Sequence, residues 1–129
     1  MVVLSNRRLG PSAELLVSRE AFSELLREVA AAARPAARAR WEHELVAWLE
    51  HVAASGSAGL DVSDIAWTPE HFDPQRGFLV GAIQAAMTAS RHGRALLRWC
   101  ELIEAHPREC VQVGRRWRWP AIQPTIRYS

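Results

Sequence analysis

Apolar side chains recur at helical spacing along most of this chain, and the first such stretch follows Ser18. Residues three and four positions apart share one side of an α-helix. We therefore predict a helix over about 19–33, with Ser18 as its N-cap and Pro35 just beyond its end. The apolar face of this helix consists of Phe22, Leu25, Leu26, Val29 and Ala33.

The same spacing predicts a second helix over about 36–54, which ends at the serines and glycines of 55–59. Two of its tryptophans, Trp41 and Trp48, take core-facing positions, and Trp99 does so in a later helix. Each indole N–H then needs a hydrogen-bond partner in the core. The apolar stripe of the second helix consists of Trp41, Leu45, Trp48, Leu49 and Val52.

Two helix starts follow in quick succession at Thr68-Pro69-Glu70 and Asp73-Pro74. Each places a capping side chain before a proline that suits the first helical turn. We predict a single helical turn at 69–72 and a long helix over about 74–91. Because the long helix is apolar around nearly its whole circumference, we expect it to be central in the domain or to form a homo-oligomer seam.

Glycines mark the long helix and its end. Gly77 and Gly81 lie within it and would let another backbone approach closely. Gly93, which follows His92, is expected to cap its C-terminus. A fourth helix is predicted over about 94–106, with an apolar face made of Leu96, Trp99, Cys100 and Ile103.

Short apolar runs at 2–5 and 14–17 flank the turn signal Gly10-Pro11, which favours a β-hairpin. A frayed tail followed by an extra helical turn is the alternative. Residues 60–67 show no regular period and are expected to be irregular.

A second hairpin is predicted at the C-terminal end, where the period of the pattern changes to two. Val111 and Val113 alternate with polar residues, Gly114-Arg115 supplies a type II′ turn, and Trp117 and Trp119 alternate with arginines. The two hairpins together favour a small antiparallel sheet. The sequence thus predicts one α+β domain over 1–129, predominantly helical, with about four helices.

Composition narrows the functional classes. The formal net charge is only +2, so no strong overall field drives the chain onto nucleic acid or anionic lipid. All basic side chains are arginine, and the absence of lysine excludes Schiff-base chemistry and the lysine-dependent P-loop.

The expected cellular location of the protein rests on its N-terminal residues, its apolar runs and its cysteines. The sequence shows neither a secretory signal pattern nor an apolar run long enough to span a bilayer. Its two cysteines are too few for a disulfide framework. A bacterial-type cytoplasmic protein without membrane contact is expected.

The candidate binding residues are Arg115, Arg116, Trp117, Arg118 and Trp119, because no apolar core requires so many guanidinium and indole groups together. In an alternating strand, Trp117 and Trp119 share one face and Arg116 and Arg118 the other. Arginine and tryptophan are enriched at protein-interface hot spots, and arginines also recognise carboxylates and phosphates. Packed indoles with solvated arginines are the simpler structural alternative.

Metal and cofactor sites are not predicted. His92, Cys100, His106 and Cys110 are of suitable type, but their spacing matches no zinc pattern. Cys100 is instead expected to pack as a small apolar side chain.

Acid–base catalysis has two weak candidates, His43 between Glu42 and Glu44, and His71 beside Glu70. On a helix, His43 would not face either neighbouring carboxylate. The loop carboxylates Asp61 and Asp64 form no recognisable catalytic motif.

Three functional hypotheses follow. The first is a non-enzymatic protein that binds another protein through the Arg/Trp residues, such as a small cognate inhibitor or immunity-type factor. The second is a nucleic-acid or phosphate-ligand binding protein that uses Arg115, Arg116 and Arg118, with binding that weakens steeply as salt rises. The third is an enzyme of unknown reaction that uses His71 or His43.

Overall fold

The structure, a computed structural model, describes residues 1–107. Its fold is α+β and predominantly helical, as the sequence predicted. Four helices and three short strands follow in the order β1 Val2–Ser5, β2 Glu14–Val17, α1 Arg19–Ala33, α2 Arg40–Ser55, β3 Gly59–Asp61, α3 Phe72–Met87 and α4 Gly93–Glu104. The predicted C-terminal hairpin lies outside the described residues, and so do the five candidate binding residues Arg115, Arg116, Trp117, Arg118 and Trp119.

The three strands form a mixed sheet with the order β2-β1-β3. The N-terminal hairpin is confirmed, since β1 pairs antiparallel with β2 from Val2 opposite Val17 to Ser5 opposite Glu14. The prediction of an antiparallel sheet was wrong in one respect. Strand β3 pairs parallel with β1, and this pairing places Ser5 beside Asp61. Two of the three residues of β3 lie in the stretch 60–67, which was expected to be irregular. The sequence did not reveal this strand because three residues are too few to show a period.

Helix α1 has the predicted bounds, and the Ser18 hydroxyl accepts a hydrogen bond from the Ala21 N–H at 3.0 Å. The predicted start of α2 was four residues early. Residues 34–36 instead form a 3₁₀ turn that contains Pro35. The helix begins at Arg40, because the Glu42 carboxylate accepts hydrogen bonds from the N–H groups of Ala39 and Arg38 just before it. These bonds lower the pKa of Glu42.

The third helix differs most from its prediction. It begins at Phe72 and ends at Met87, so the extension to residue 91 was wrong. A turn is present at 69–71, closed by a hydrogen bond from the His71 N–H to the Thr68 carbonyl at 3.2 Å, and it leads directly into the helix. Pro74 lies inside the first turn of α3, where the missing N–H removes no helical hydrogen bond. Gly93 is the first residue of α4 and does not cap α3.

The described elements share one hydrophobic core. Helix α1 packs against α2 and α3, α3 also packs against α4, and α4 lies against β1 and β2. Trp48 and Trp99 are buried as expected, but their indole N–H groups have no hydrogen-bond partner among the described residues. The core therefore carries two indole N–H groups whose desolvation is not offset by a described acceptor.

Helix α3 is less buried than its composition predicted. Leu79, Ala82 and Ile83 are buried, whereas Gly77, Gly81, Gln84 and Ala85 are exposed. Helix α3 lies between α1 and α4, which cover only part of its circumference. Apart from the backbone of α3 itself, no atom of residues 1–107 lies within 4 Å of a Cβ built at Gly77 or Gly81. None of the described helices is both long and apolar enough to cross a bilayer.

Replacement of Gly81 by alanine should stabilise the protein. The added methyl group meets open space, and a helix-interior glycine costs about 0.5–1 kcal/mol relative to alanine. Urea unfolding measures the gain, with Gly59→Ala as the contrasting variant, because a Cβ there would lie 3.0 Å from the Val3 carbonyl oxygen. If Gly81→Ala instead lowers the free energy of unfolding or dissociates an oligomer, this face of α3 is a contact seam.

Candidate functional site

A concave site lies between the start of α2 and the segment that leads into α3. It is a cavity of about 210 Å³. Its lining consists of Trp41, Glu44, Leu45, Ala66, Thr68, Glu70, His71 and Gln75. We refer to these eight residues as the Trp41 pocket.

The buried side chain of Gln75 fixes one wall of the Trp41 pocket. Its Nε2 donates to the Ala66 carbonyl at 3.0 Å, and its Oε1 accepts from the Thr68 N–H at 3.0 Å. Both ends of the amide are thus used to hold the 66–68 segment against α3. The Gln75 N–H also donates to the His71 carbonyl at 2.7 Å, which begins the helical hydrogen bonding.

Trp41 supplies the aromatic part of the pocket on the side of α2. Trp41 is half-buried, and its ring centroid lies 5.7 Å from that of His71 and 5.8 Å from that of Phe78. The Phe78 ring meets the indole edge-on at 77°, a favourable aromatic geometry. The Trp41 indole is therefore held in place while part of its surface remains accessible.

The assignment of Trp41 to the core was wrong in part. It shares the helical face of Leu45 and Trp48, but it is the second residue of α2 and lies where the core ends. Helical periodicity identifies a face and does not indicate how far along the helix that face is covered. The nearby helix-start signal at Thr68-Pro69 was the feature of the sequence that marked the other wall.

The Trp41 pocket is acidic. Two carboxylates, Glu44 and Glu70, belong to its lining, and no guanidinium group does. Arg40 lies outside it, with its Nε 3.3 Å from Glu44 Oε2 and its side chain almost fully exposed. Glu70 is exposed and has no ion-pair partner among residues 1–107. The charge of the pocket therefore suits a cationic group.

The two histidines considered for catalysis differ in position. His71 lines the Trp41 pocket, and its Nδ1 lies 3.2 Å from the Thr68 hydroxyl oxygen. His43 is exposed on α2 and does not line the pocket. The described structure thus retains His71 as an acid–base candidate and gives no such support to His43.

The described residues weighed for a metal site, His92, Cys100 and His106, do not form one. Within residues 1–107, no three His, Cys, Asp or Glu side chains come together in a way that could hold a metal ion. Burial and the nearby Glu104 carboxylate raise the pKa of the Cys100 thiol to about 11, so it is a poor nucleophile at neutral pH. His106 is stacked on Trp67, and Cys110 lies outside the described residues.

His92 belongs to a separate ionic cluster along the middle of α1. Its Nε2 lies 2.6 Å from Glu24 Oε1, and Arg91 Nη2 donates to both Glu24 oxygens at 2.9 and 3.0 Å. These bonds from His92 and Arg91 lower the pKa of Glu24. The Ser90 hydroxyl donates to Glu28 in the same way at 2.5 Å. Glu24, Glu28 and Arg91 also line an open depression of about 440 Å³, and their charges tie the α3–α4 connection to α1.

Asp61 is the centre of a buried polar cluster at the carboxyl ends of β1 and β3. Its Oδ1 accepts from the Ser5 hydroxyl at 2.7 Å and from the Arg7 N–H at 2.8 Å. Its Oδ2 accepts from the N–H and hydroxyl of Ser63 at 3.0 and 2.5 Å. Both oxygens are thus saturated by groups of the chain itself, so this carboxylate has a structural role.

Comparison with protein-family models, with curated proteins and with solved structures finds no match to this chain. The function must therefore be inferred from the site itself.

Proposed function

We propose that this chain is a protein-binding domain without catalytic activity of its own, of the small cognate-inhibitor or immunity type. The observation that carries the proposal is the Trp41 pocket, which combines a held, half-exposed indole with two carboxylates. Tryptophan is among the residues most enriched at protein-interface hot spots. The polar clusters around Glu24 and Asp61 are used within the chain, whereas Glu70 in the Trp41 pocket has no ion-pair partner among residues 1–107, which favours this pocket as the surface for a partner.

The size of the pocket supports a protein partner. Sites that enclose a whole small molecule have volumes of about 300–1,000 Å³, whereas this cavity measures about 210 Å³. A cavity of this size encloses a single side chain, while the remainder of a partner would contact the surrounding surface. Such a side chain in a pocket is the usual anchor of a protein interface.

The second contact in this proposal is the Arg/Trp segment, Arg115 to Trp119. Its support is compositional, since three guanidinium groups and two indoles stand within five residues. The segment and the Trp41 pocket have opposite charge. A partner that engages both would therefore present a basic group to the pocket and acidic groups to the arginines.

Replacement of Trp41 by alanine should weaken capture of the partner by about tenfold or more, since hot-spot truncations exceed about 1 kcal/mol. The measurement is a quantitative pull-down with the full chain, followed by titration of the captured protein. His71→Ala should weaken binding as well. The matched control is His43→Ala, which changes an exposed histidine on α2 outside the pocket and should bind like the unaltered chain.

Two results would contradict this proposal. One is a captured protein that binds the Trp41→Ala and His43→Ala variants equally well. The other, for the C-terminal contact, is a variant with Arg116, Arg118 and Trp119 all changed to alanine that retains full affinity. Circular dichroism of each variant establishes that the fold is intact before binding is compared.

Acid–base catalysis is the second candidate function, and the contact between Thr68 Oγ1 and His71 Nδ1 favours it. A hydroxyl within hydrogen-bond distance of an imidazole is the arrangement of a nucleophile and its base. Among the described residues, however, no carboxylate or carbonyl bonds the other nitrogen of His71 and fixes its tautomer. The protein-binding function therefore accounts for more of the residues that line the pocket than acid–base catalysis does.

A further inference from the structure

We propose that the Trp41 pocket recognises a guanidinium group, the head of an arginine side chain on the partner protein. This inference rests on the proposed function and adds the chemistry of the group that is bound. It uses the shape, the aromatic wall and the charge of the pocket as separate observations.

The aromatic wall suits a flat cation. Trp41 is half-buried and lines the pocket. The face of an indole carries the negative part of its quadrupole, and tryptophan gives the strongest cation–π interaction of the aromatic side chains. A guanidinium is planar, so it stacks on an indole while its edge remains available for hydrogen bonds. The edge-on contact from Phe78 holds the indole plane in position before the ligand arrives.

The carboxylates suit the edge of the same group. Glu44 and Glu70 both belong to the lining, and a carboxylate accepts two parallel hydrogen bonds from a guanidinium fork. An anionic ligand would be repelled by both side chains. A lysine ammonium is more strongly hydrated and does not stack on the ring, so it would lose more hydration for fewer contacts.

The chain itself already places one guanidinium at the pocket. Arg40 pairs with Glu44 from outside at 3.3 Å, although its side chain is 92 % exposed. The lining carboxylate therefore accepts a guanidinium even where solvent competes for it. Because Arg40 and an incoming arginine use the same carboxylate, Arg40 is expected to compete with the ligand.

The test is an NMR titration of the full chain with N-acetyl-argininamide, followed at the Trp41 indole N–H and the His71 ring. N-acetyl-citrullinamide is the matched probe, because citrulline has nearly the same shape and no charge. We expect the arginine probe to shift both signals and to bind at least about tenfold more tightly than the citrulline probe, the range of a partly desolvated cation–π and charge pair. The affinity should fall as salt is added, because the charges are partly exposed.

Three variants sharpen the test. Glu70→Gln should weaken binding of the arginine probe by about threefold, the size of one partly exposed charge pair. Arg40→Gln should strengthen it by a similar factor of about three, since Glu44 is then released from its internal partner. Glu101→Gln, an exposed ion-paired glutamate on α4 outside the pocket, should leave the affinity unchanged.

Equal binding of the citrulline probe would overturn the proposal, because charge would then contribute nothing. So would equal binding of N-acetyl-lysinamide, because the planar group would then give no advantage. An Arg40→Gln variant that binds the arginine probe more weakly would also contradict it.

Failure of this inference is distinguishable from failure of the proposed function. If the partner depends on Trp41 but the arginine probe does not bind, the pocket receives a different group and the function stands. If the arginine probe binds but no captured protein depends on Trp41, guanidinium recognition stands and the protein-binding function fails.

Discussion

Replacement of Asp61 by asparagine is expected to lower the free energy of unfolding by about 3 kcal/mol, the usual cost of breaking a buried charged hydrogen-bond cluster. Asp61 is 4 % exposed, and its two oxygens accept four hydrogen bonds. The asparagine amide would place an N–H₂ donor against other donors. The donors on one side of the Asp61 side chain would then lose their hydrogen bonds while they remained buried.

The loss should spread beyond a single contact, because Asp61 joins segments that are distant in the sequence. It ties the end of β3 to Ser5 at the end of β1 and to Arg7 in the following 3₁₀ turn. The parallel pairing of β1 and β3 has only a few residues, so this carboxylate supplies much of what fixes its register. We expect the Asp61→Asn variant to lose protection from hydrogen exchange first in β3.

The pKa of Asp61 gives the same prediction a pH dependence. Burial raises the pKa, but the bonds from Ser63, Arg7 and Ser5 outweigh burial, and the pKa lies below its ordinary value. A carboxyl group with a lowered folded pKa contributes stability above its unfolded pKa, and that stability is lost as pH falls through the folded pKa. Asp61→Asn should therefore flatten the acid limb of the stability profile.

Asp64 is the matched control, three residues away. Burial raises the pKa of its carboxyl group, so the ionised form is less favourable in the folded chain than in the unfolded chain. An asparagine there keeps an oxygen that can accept from the Asp61 N–H, as Oδ2 of Asp64 does at 3.2 Å. Chemical denaturation at neutral pH should give Asp64→Asn unchanged or increased stability. Equal losses in the two variants would show that Asp61 has no special role.

Replacement of His106 by alanine is expected to cost about 3 kcal/mol at pH 8, in the range for large buried side chains truncated in a core. His106 is 2 % exposed, its ring is stacked on Trp67 with centroids 5.8 Å apart, and it lies 6.2 Å from Phe72. Arg76 closes this cluster by donating to the His106 carbonyl at 3.2 Å and lying over the Phe72 ring. Thermal or urea unfolding at pH 8 measures the loss.

The pH dependence of the free energy of unfolding distinguishes the contribution of His106 packing from that of its titration. Burial lowers its pKa, Asp61 opposes that shift, and Arg8 and Arg76 add to it. The unfolded chain therefore binds the His106 proton more readily than the folded chain does. The free energy of unfolding should fall as the pH decreases from about 6.5, the ordinary pKa of histidine, to the lower pKa of His106 in the folded chain. His106→Phe keeps a packed ring and removes the titration, so its stability should change less between pH 7 and pH 5, about the range in which histidine titrates. A slope identical to that of the unaltered chain would contradict this assignment.

The Trp41 pocket could be predicted only in pieces. His71 and Glu70 were recognised as a histidine beside a carboxylate, and Trp41 was recognised as part of a helical stripe. Nothing in the sequence joined them, because Trp41 and His71 are 30 positions apart (71 minus 41) and come together only through the packing of α2 beside the 66–75 segment. The acidic character of the pocket likewise depends on which of several glutamates the fold brings to one place.

The helix boundaries show where local signals are sufficient. Ser18 directly precedes α1 and Pro35 lies two residues beyond its end, and the predicted bounds of that helix are confirmed. At α3 the same kind of signal gave the wrong first residue, because the pair Asp73-Pro74 is compatible both with the start of a helix and with a position within its first turn. The choice between the two was made by Gln75, whose bonds to Ala66 and Thr68 hold the preceding segment in place.

By itself, the sequence determined the elements that rest on neighbouring residues: the four helices, the N-terminal hairpin and the predominantly helical α+β class. The tertiary structure alone decided the parallel strand Gly59–Asp61, the burial of Asp61 and His106, and the meeting of Trp41 with His71. The physical reason is range. Helical periodicity and capping act over a few residues, whereas a parallel strand pair, a buried carboxylate and a pocket each join groups separated by tens of residues, and only packing of the whole core determines those pairs.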